Sequence, residues 1–494
     1  MNNRKLFRYN LFMKFVFLAS LFLFFYMIPL ATAENGDQED AVPLHQTGTA
    51  VKITDRGVYY FVEIDMTSGI SHKTMGEQYA LAVKEAVPNC EALLDSYLME
   101  LILGTKLTLA QCLERVSNIR PSMHKEYSDE LDGMATVFNH SVDKLGDNKL
   151  SAGEIWCIAL IPDIMRLTQC CAISAFSDAS ETGTTITGRN TDWFMGSKHQ
   201  MAFLHAVTLI KNGSRSICLP GFLGFLSCVT GFNKNGIFGG ILDSDTGELP
   251  YVTLGKRSYT YDLRYALETE STLYGVANYM NDKPYAFNHL IFLSSPRESK
   301  VLENYIHALG DRRLRSDNSH LQEPSVWGFS NVTGTVNSFL LPGNPDNQTP
   351  WPQNTARWES MKQQTALYSI NKIGFEDIKN IISYYPEDLP GPGTSSQGCL
   401  YREDTAENII FEPATFKMEM AFAPSTGEMP VKPVFHTIFA SNPFESDEPS
   451  SCASFDSGSN LLHIPCINLG NSSSYWCDMK LEGDSLIITG FGEN

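Results

Sequence analysis

Residues 168–193 read TQCCAISAFSDASETGTTITGRNTDW, and this stretch decides the fold class. Two adjacent cysteines, Cys170 and Cys171, open a run of small, hydroxylated and β-branched residues of the kind that favours strands. The composition predicts strands over Cys171–Phe176 and Thr184–Thr187, separated by turn residues. The chain therefore turns back on itself directly after the cysteine pair.

The sequence on either side of this stretch has two different patterns. From Lys73 to about Met165, apolar residues recur mostly at three- and four-residue spacing, which predicts helices. Ser151 followed by Glu154 is a capping-box signal for a helix that runs through Met165. Beyond the stretch, predicted strands and helices alternate, so we expect an α+β fold with two stacked sheets between helices, a four-layer αββα sandwich. The strands are predicted at Val58–Val62, Met201–Ile210, Ile237–Leu242, His289–Phe292, Asn408–Phe411 and Lys417–Ala423, and the helices at Tyr261–Glu268, Leu273–Asn281 and Phe375–Ser383.

The N-terminus has the features of a secretory signal peptide. Basic residues precede an apolar run from Phe15 to Leu30, and Ala31-Thr32-Ala33 forms a small-residue cleavage signal. The alternative is an uncleaved membrane anchor, because the apolar run approaches the length of a short span. We expect cleavage and export, to the medium, the periplasm or a lysosome-like lumen, with no membrane span in the mature chain.

Charge and cysteine content narrow the functional classes. The 494 residues carry a formal net charge of −19, which argues against nucleic acid and anionic membrane surfaces as partners. In an exported chain the 11 cysteines permit disulfides, and the odd number leaves one thiol unpaired if the others bridge. Cys218 and Cys228 are one candidate pair. The alternative is that most cysteines are buried free thiols.

A cysteine followed by a fixed arginine and aspartate is the residue set that a self-processing thiol hydrolase requires. If the chain is cut before Cys170, the new α-amine has a pKa of about 7.7–8.0 and can act as a general base for the thiol. Arg189 would stabilise the thiolate, and Asp192 would hold the amine. Both are predicted on a short turn after a strand. Alone, such an Arg–Asp pair is equally typical of a surface ion pair.

The same residues resemble the nucleophile region of the penicillin acyltransferase-like C–N hydrolases, a family of N-terminal-nucleophile cysteine hydrolases. The segments that carry the resemblance are Cys170–Gly183, Gly188–Trp193, Gly231–Gly236, Val336–Phe339 and Phe411–Thr415, which occur in the family's order between about residues 57 and 423. Acid ceramidase and the choloylglycine hydrolases are more distant relatives. The resemblance implies an autoprocessing enzyme that cleaves linear amide bonds through an acyl-thioester.

The resemblance also implies roles for individual residues. It makes Cys170 the nucleophile, since alanine and isoleucine then fall at the family's positions, although Cys171 remains an alternative. Asn337 matches the asparagine of the oxyanion hole, and Arg357 matches a later arginine beyond a Pro/Asn-rich loop at residues 340–354. Asp243 stands where bile salt hydrolases have a second oxyanion asparagine. This departure argues against bile salt specificity, or requires a backbone N–H as the second donor.

These inferences divide the chain into four segments. We predict a signal peptide (1–33), a helical segment released by the cut (34–169), a nucleophile-bearing αββα segment (170–430) and a linker with a small C-terminal β unit (431–494). The two fragments are expected to stay associated and to act on a small-molecule N-acyl amide, without a metal or a cofactor. The alternatives are an acyltransferase with an amine acceptor and a catalytically inactive binding protein on the same scaffold.

Overall fold

The structure is a computed structural model that describes residues 50–166, 168–244, 252–305, 313–344, 352–445, 454–456, 461–468, 474–482 and 485–493. The last four of these stretches are described by their backbone. The predicted signal peptide lies outside the described residues. None of the described helices is long and apolar enough to cross a membrane.

Ten α-helices flank the sheets of the described chain. Six precede the cysteine pair: α1 His72–Ala86, α2 Cys90–Thr105, α3 Leu109–Ile119, α4 Lys125–Val137, α5 Ala152–Ala159 and α6 Ile161–Met165. Four follow it: α7 Tyr259–Thr269, α8 Leu273–Asn281, α9 Pro352–Tyr368 and α10 Phe375–Ile382. Short 3₁₀ turns lie at Arg120–Ser122, Ser177–Ala179, Gln200–Phe203, Gly213–Arg215 and Ser395–Gln397.

The strands form two large sheets and one small sheet. The nine-stranded sheet has the order β1-β2-β5-β6-β7-β8-β9-β10-β11, and its strands are Val51–Asp55, Tyr60–Asp65, His205–Lys211, Ile217–Phe222, Thr230–Asn233, Phe238–Asp243, His289–Ser294, Ser299–Asn304 and Arg313–Arg315. The six-stranded sheet has the order β12-β3-β4-β13-β14-β15, and its strands are Val332–Thr335, Thr168–Ala175, Ile186–Trp193, Thr405–Glu412, Lys417–Phe422 and His436–Phe439. The β2–β5 pair is parallel, and every other pair in the two sheets is antiparallel.

Three apolar clusters show what each face of the two sheets contacts. One cluster joins the N-terminal helices, α7 and α8 to the nine-stranded sheet. A second contains residues of both sheets, such as Val207 of β5 and Ile409 of β13. The third joins the six-stranded sheet to α9 and α10, for example Ile173 to Trp358 and Ile378. Successive side chains of a strand point in opposite directions, and in the six-stranded sheet both sets are buried.

The predicted elements agree with this structure in most places, with three differences around the site. Residues 189 and 192 were expected on a turn, but they lie inside β4, which continues to Trp193 and pairs with β3. The helix that begins with the Ser151–Glu154 capping box ends at Ala159, and a short helix with Pro162 at its start follows. Helix α9 was not predicted, because the Pro/Asn-rich loop before it suggested irregular structure.

The cysteines of the described side chains are free and buried. The candidate pair Cys218 and Cys228 is therefore not bridged, and the alternative of buried free thiols holds for the described cysteines. Cys218 belongs to the cluster between the two sheets, whereas Cys228 packs with the cluster on the helical side of the nine-stranded sheet. The two thiols thus belong to different apolar clusters.

The C-terminal strands form their own sheet. Its order is β16-β17-β18-β19, all antiparallel, with strands Ser454–Asp456, Leu461–Asn468, Ser474–Glu482 and Ser485–Glu493. The small antiparallel β unit predicted here is thus present. Strand β15, at residues 436–439, pairs with β14, so the six-stranded sheet extends past residue 430.

Candidate active site

Strand β3 separates the two adjacent cysteines onto opposite faces of its sheet. Cys170 packs in the cluster between the two sheets, and Cys171 packs in the cluster against α9 and α10. Successive side chains of a strand point in opposite directions, so one thiol must face each layer. The Cys171 thiol lies 4.0 Å from the Leu400 carbonyl. Burial raises its pKa to about 11, and the nearby Arg357 guanidinium opposes that shift.

Arg189 reaches the Cys170 thiol from the neighbouring strand. Its Nη2 donates to Cys170 Sγ at 3.2 Å and to the Ile241 carbonyl at 2.6 Å, and its Nε donates to Thr230 Oγ1 at 2.9 Å. The guanidinium lies directly on Gly240, where an added Cβ would be 2.8 Å from its Nη1. Burial raises the pKa of the Cys170 thiol, and the positive charge of Arg189 opposes that shift.

Asp192 lies on the other face of β4 and holds a cluster of charges. An odd spacing along a strand places two residues on opposite faces, which explains why Arg189 meets the thiol and Asp192 does not. Asp192 Oδ2 accepts from Arg357 Nη2 and Arg402 Nη1, both at 3.1 Å, and Oδ1 accepts from Thr405 Oγ1 at 2.7 Å. The carboxylate is 1 % exposed, and the two guanidiniums compensate its burial.

Asn337 and Arg357 fix the backbone of Cys170. The Cys170 N–H donates to Asn337 Oδ1 at 2.9 Å, and Arg357 Nη1 donates to the same oxygen at 2.9 Å. Two donors on one atom identify it as the carbonyl oxygen of the amide. Arg357 Nη2 also donates to the Cys170 carbonyl at 2.9 Å. Asn337 Nδ2 donates one hydrogen to the Asp243 carbonyl at 2.6 Å, which leaves the second hydrogen for another acceptor.

The Asp243 carboxylate does not stand free beside the thiol. Its Oδ1 pairs with Arg166 Nε at 2.7 Å, just after α6, and Arg166 has a left-handed backbone with φ of 61°. A free carboxylate at this position would repel an oxyanion, but here its charge is paired with Arg166. At this position the backbone carbonyl contacts Asn337, and the side chain ties the residue after α6 to the nine-stranded sheet.

Sequence analysis missed two residues of this site, Arg402 and Thr405. Arg402 shares its hydrogen bonds among three residues. The Nη1 that donates to Asp192 also donates to Gln169 Oε1 at 2.6 Å, and Nη2 donates to Asp404 Oδ2 at 2.7 Å. Burial raises the pKa of Asp404 to about 6. Both missed residues lie where the chain enters β13, and β13 is next to β4 only in the folded sheet. No sequence spacing indicates this proximity.

The arrangement brings five predicted residues together: Cys170, Arg189, Asp192, Asn337 and Arg357. Chemically, it combines a thiol with a cation on its sulfur, an asparagine N–H, and a buried carboxylate beside the same residue's backbone. These are the groups needed for a thiolate attack, for oxyanion stabilisation and for holding an ammonium. The roles themselves remain predictions.

Comparisons with known proteins add limited information. No family model matches the chain, and no curated protein matches it. Among solved structures, an N-acylethanolamine-hydrolyzing acid amidase ortholog of Caenorhabditis elegans has 13 % identity and a TM-score of 0.34, covering 49 % of this chain and 93 % of its own. A mutant conjugated bile acid hydrolase of Clostridium perfringens has 12 % identity and a TM-score of 0.32, covering 55 % and 97 %. Likeness at this level supports no argument about fold or function.

Proposed function

We propose that this chain is an autoprocessing N-terminal-nucleophile cysteine amidohydrolase with Cys170 as its nucleophile, built on a four-layer αββα sandwich. The observation that supports this best is that different residues bond the side chain and the backbone of Cys170. Arg189 contacts its sulfur, while Asn337 and Arg357 bond its backbone, and Arg357 also pairs with Asp192. A structural cysteine needs none of these contacts.

Processing would begin with attack of Cys170 Sγ on the carbonyl carbon of Gln169. The C–N bond breaks as the C–S bond forms, and the thiol proton passes to the departing nitrogen, which becomes the α-amine of Cys170. Water then hydrolyses the thioester and leaves Gln169 as a free carboxylic acid. Gln169 and Cys170 lie together in β3, and Arg402 holds the Gln169 side chain next to Asp192.

Turnover would use the same groups on a linear N-acyl amide. The α-amine takes the thiol proton, the thiolate attacks the substrate carbonyl, and the second Asn337 Nδ2 hydrogen donates to the oxyanion. The ammonium then protonates the leaving amine, and water releases the acyl group as a carboxylic acid. Export is part of this proposal and follows from the signal-like N-terminus alone.

Paired cysteine variants test the proposal. Wild-type protein and C171A are expected to show two fragments by intact mass, the larger one starting with Cys-Cys-Ala-Ile or Cys-Ala-Ala-Ile. C170A is expected to remain a single chain without amidase activity. The two residues are equally buried neighbours, so C171A controls for loss of a core thiol. An uncut wild-type chain that hydrolyses amides, or an active C170A, would rule the mechanism out.

A further inference from the structure

Three neighbouring strands place a row of side chains beside the thiol. Cys170 on β3 is opposite Thr191 on β4, and Thr191 is opposite Glu407 on β13. Directly opposed residues point to the same face of a sheet. Cys170 and Ile409, two residues along from Glu407, both pack between the sheets, so the whole row faces that space. Glu407 lies two strand spacings from Cys170, roughly 10 Å between backbones.

Glu407 lines a small cavity whose other walls are mostly apolar. The cavity measures about 20 Å³, enough for a single water molecule or the end of a small ligand group. Its lining residues are Thr191, Trp193, Leu219, Pro220, Gly221, Phe222, Phe225, Ser227, Val229, Thr230 and Glu407. Thr191, the cross-strand neighbour of Cys170, and Glu407 therefore share this cavity.

The polar atoms around this cavity lack partners. Glu407 Oε1, Thr191 Oγ1 and Ser227 Oγ are all buried, and none of them has a hydrogen bond within the described chain. His205 Nδ1 lies 3.7 Å from Glu407 Oε1, beyond hydrogen-bond distance, and it also lacks a hydrogen-bond partner within the described chain. Glu407 is 1 % exposed. A buried carboxylate oxygen without a hydrogen bond is unfavourable, and a ligand with a donor would supply the missing bond.

We propose that this cavity is a subsite for the acyl portion of the substrate, and that Glu407 accepts a hydrogen bond from a hydroxyl or ammonium group on that acyl chain. The inference rests on the proposed function, which places the acyl carbonyl at Cys170 Sγ. An acyl chain that leaves this point along the row passes Thr191 and reaches Glu407. The donor would then stand roughly four to six bonds from the carbonyl, given the strand spacing and the length of a glutamate side chain.

Charges around Glu407 suit a donor better than an anion. Burial raises the pKa of Glu407, and the nearby His205 and Arg189 oppose that shift. A carboxylate ligand would bring a second negative charge into the same dry cavity. The aromatic walls of Trp193, Phe222 and Phe225 suit the methylene groups that precede the donor.

A matched substrate panel tests this subsite. Hexanoyl, ω-hydroxyhexanoyl and ω-aminohexanoyl amides of one chromogenic amine are compared by kcat/KM for wild type, E407Q and E407L. Wild type is expected to prefer at least one donor-bearing amide by about tenfold or more, and the two donor arms distinguish hydroxyl from ammonium. E407L is expected to remove that preference and to retain hydrolysis of the hexanoyl amide, and E407Q is expected to keep the hydroxyl preference and lose an ammonium preference.

S174A is the control for a general disturbance between the sheets. Ser174 lies on the same face of β3, is buried, and bonds Ser299 rather than the cavity. It is expected to leave the preference unchanged. Equal kcat/KM for all three amides in wild type, or the same loss on every amide in E407L, would mean that the cavity holds only a structural water, while the proposed function stands. Hydrolysis of none of the amides would refute both.

Discussion

At Asp192, two guanidiniums and a hydroxyl converge on one buried carboxylate. In the proposed enzyme this carboxylate also faces the α-amine of Cys170. The charge around that amine is set by Arg189 at the thiol, by Arg357 and Arg402 at Asp192, and by the Arg166–Asp243 pair. Positive neighbours lower the pKa of an amine and the Asp192 carboxylate raises it, so the balance of these charges sets the pKa of the α-amine.

Replacing Arg402 tests this electrostatic role. R402Q removes one positive charge, so the α-amine pKa should rise and the acidic limb of the kcat/KM profile should move to higher pH, by roughly half to one unit. R402K keeps the charge and is expected to restore the wild-type limb even if its rate is lower. A pH profile identical to that of wild type in R402Q would make Arg402 a purely structural residue.

Gly240 is a second residue-scale feature of the site, because the Arg189 guanidinium occupies the space of a side chain. In G240A the new Cβ would lie 2.8 Å from both Arg189 Cδ and Nη1, so the guanidinium must leave Cys170 Sγ. We expect slower processing and slower alkylation of the thiol by iodoacetamide near neutral pH. G239A is the matched control, since its Cβ meets only Leu263 and Leu267 side chains, at 3.2 Å and 3.4 Å. Equal alkylation rates in the two variants would contradict the role given to Arg189.

At the scale of elements, helices before the proposed cut are tied to elements after it by buried polar contacts. Glu130 of α4 and Arg264 of α7 form an ion pair of 2.6 Å in which both side chains are buried. Asp163 of α6 accepts from the Tyr259 N–H at 2.7 Å and from Thr260 Oγ1 at 2.6 Å, at the start of α7. Breaking one partner of a buried pair costs about 3–5 kcal/mol. These contacts support the proposal that the two fragments stay together after cleavage.

The Asp163 contact has a predictable pH dependence. Burial raises the pKa of Asp163 from 3.8 to about 7. The folded protein therefore binds this proton more tightly than the unfolded chain, and the resulting stabilisation is present below pH 4 and is lost as the pH rises towards 7. The free energy of unfolding of wild type relative to D163N should fall over that range. A difference that is constant between pH 4 and 7 would show that Asp163 is ionised throughout.

At the scale of the whole molecule, the C-terminal sheet is separate from the two main sheets, but the chain leading to it is not. Strand β15 pairs with β14, and the Phe444 ring contacts Phe232 and Phe416 at 5.8 Å and 6.0 Å. The main fold thus uses the chain to at least residue 444.

Two truncations follow from this boundary. A chain that ends at Glu445 keeps β15 and Phe444, and it is expected to fold, to cut itself and to retain most of its amidase activity. A chain that ends at Pro430 loses both and exposes the edge of β14, so we expect lower solubility and a lower melting temperature. Thermal unfolding and intact mass of the two proteins measure this. A soluble, cut but inactive protein ending at Glu445 would show that the C-terminal sheet completes the substrate site.

The sequence by itself determined the local part of this protein. Apolar periodicity located most helices and strands, the Ser151–Glu154 box marked the start of α5, and the Cys170 region with its arginine and aspartate identified the candidate site. Each of these signals involves residues close together in the chain. The tertiary structure decided what depends on strand order. The pairing of β3 with β4 places Arg189 and Asp192 on opposite faces of one sheet, and the pairing of β4 with β13 brings in Arg402, Thr405 and Glu407, more than 200 residues away. Such contacts form because hydrogen bonding between strands fixes the register of distant segments, which sequence spacing does not record.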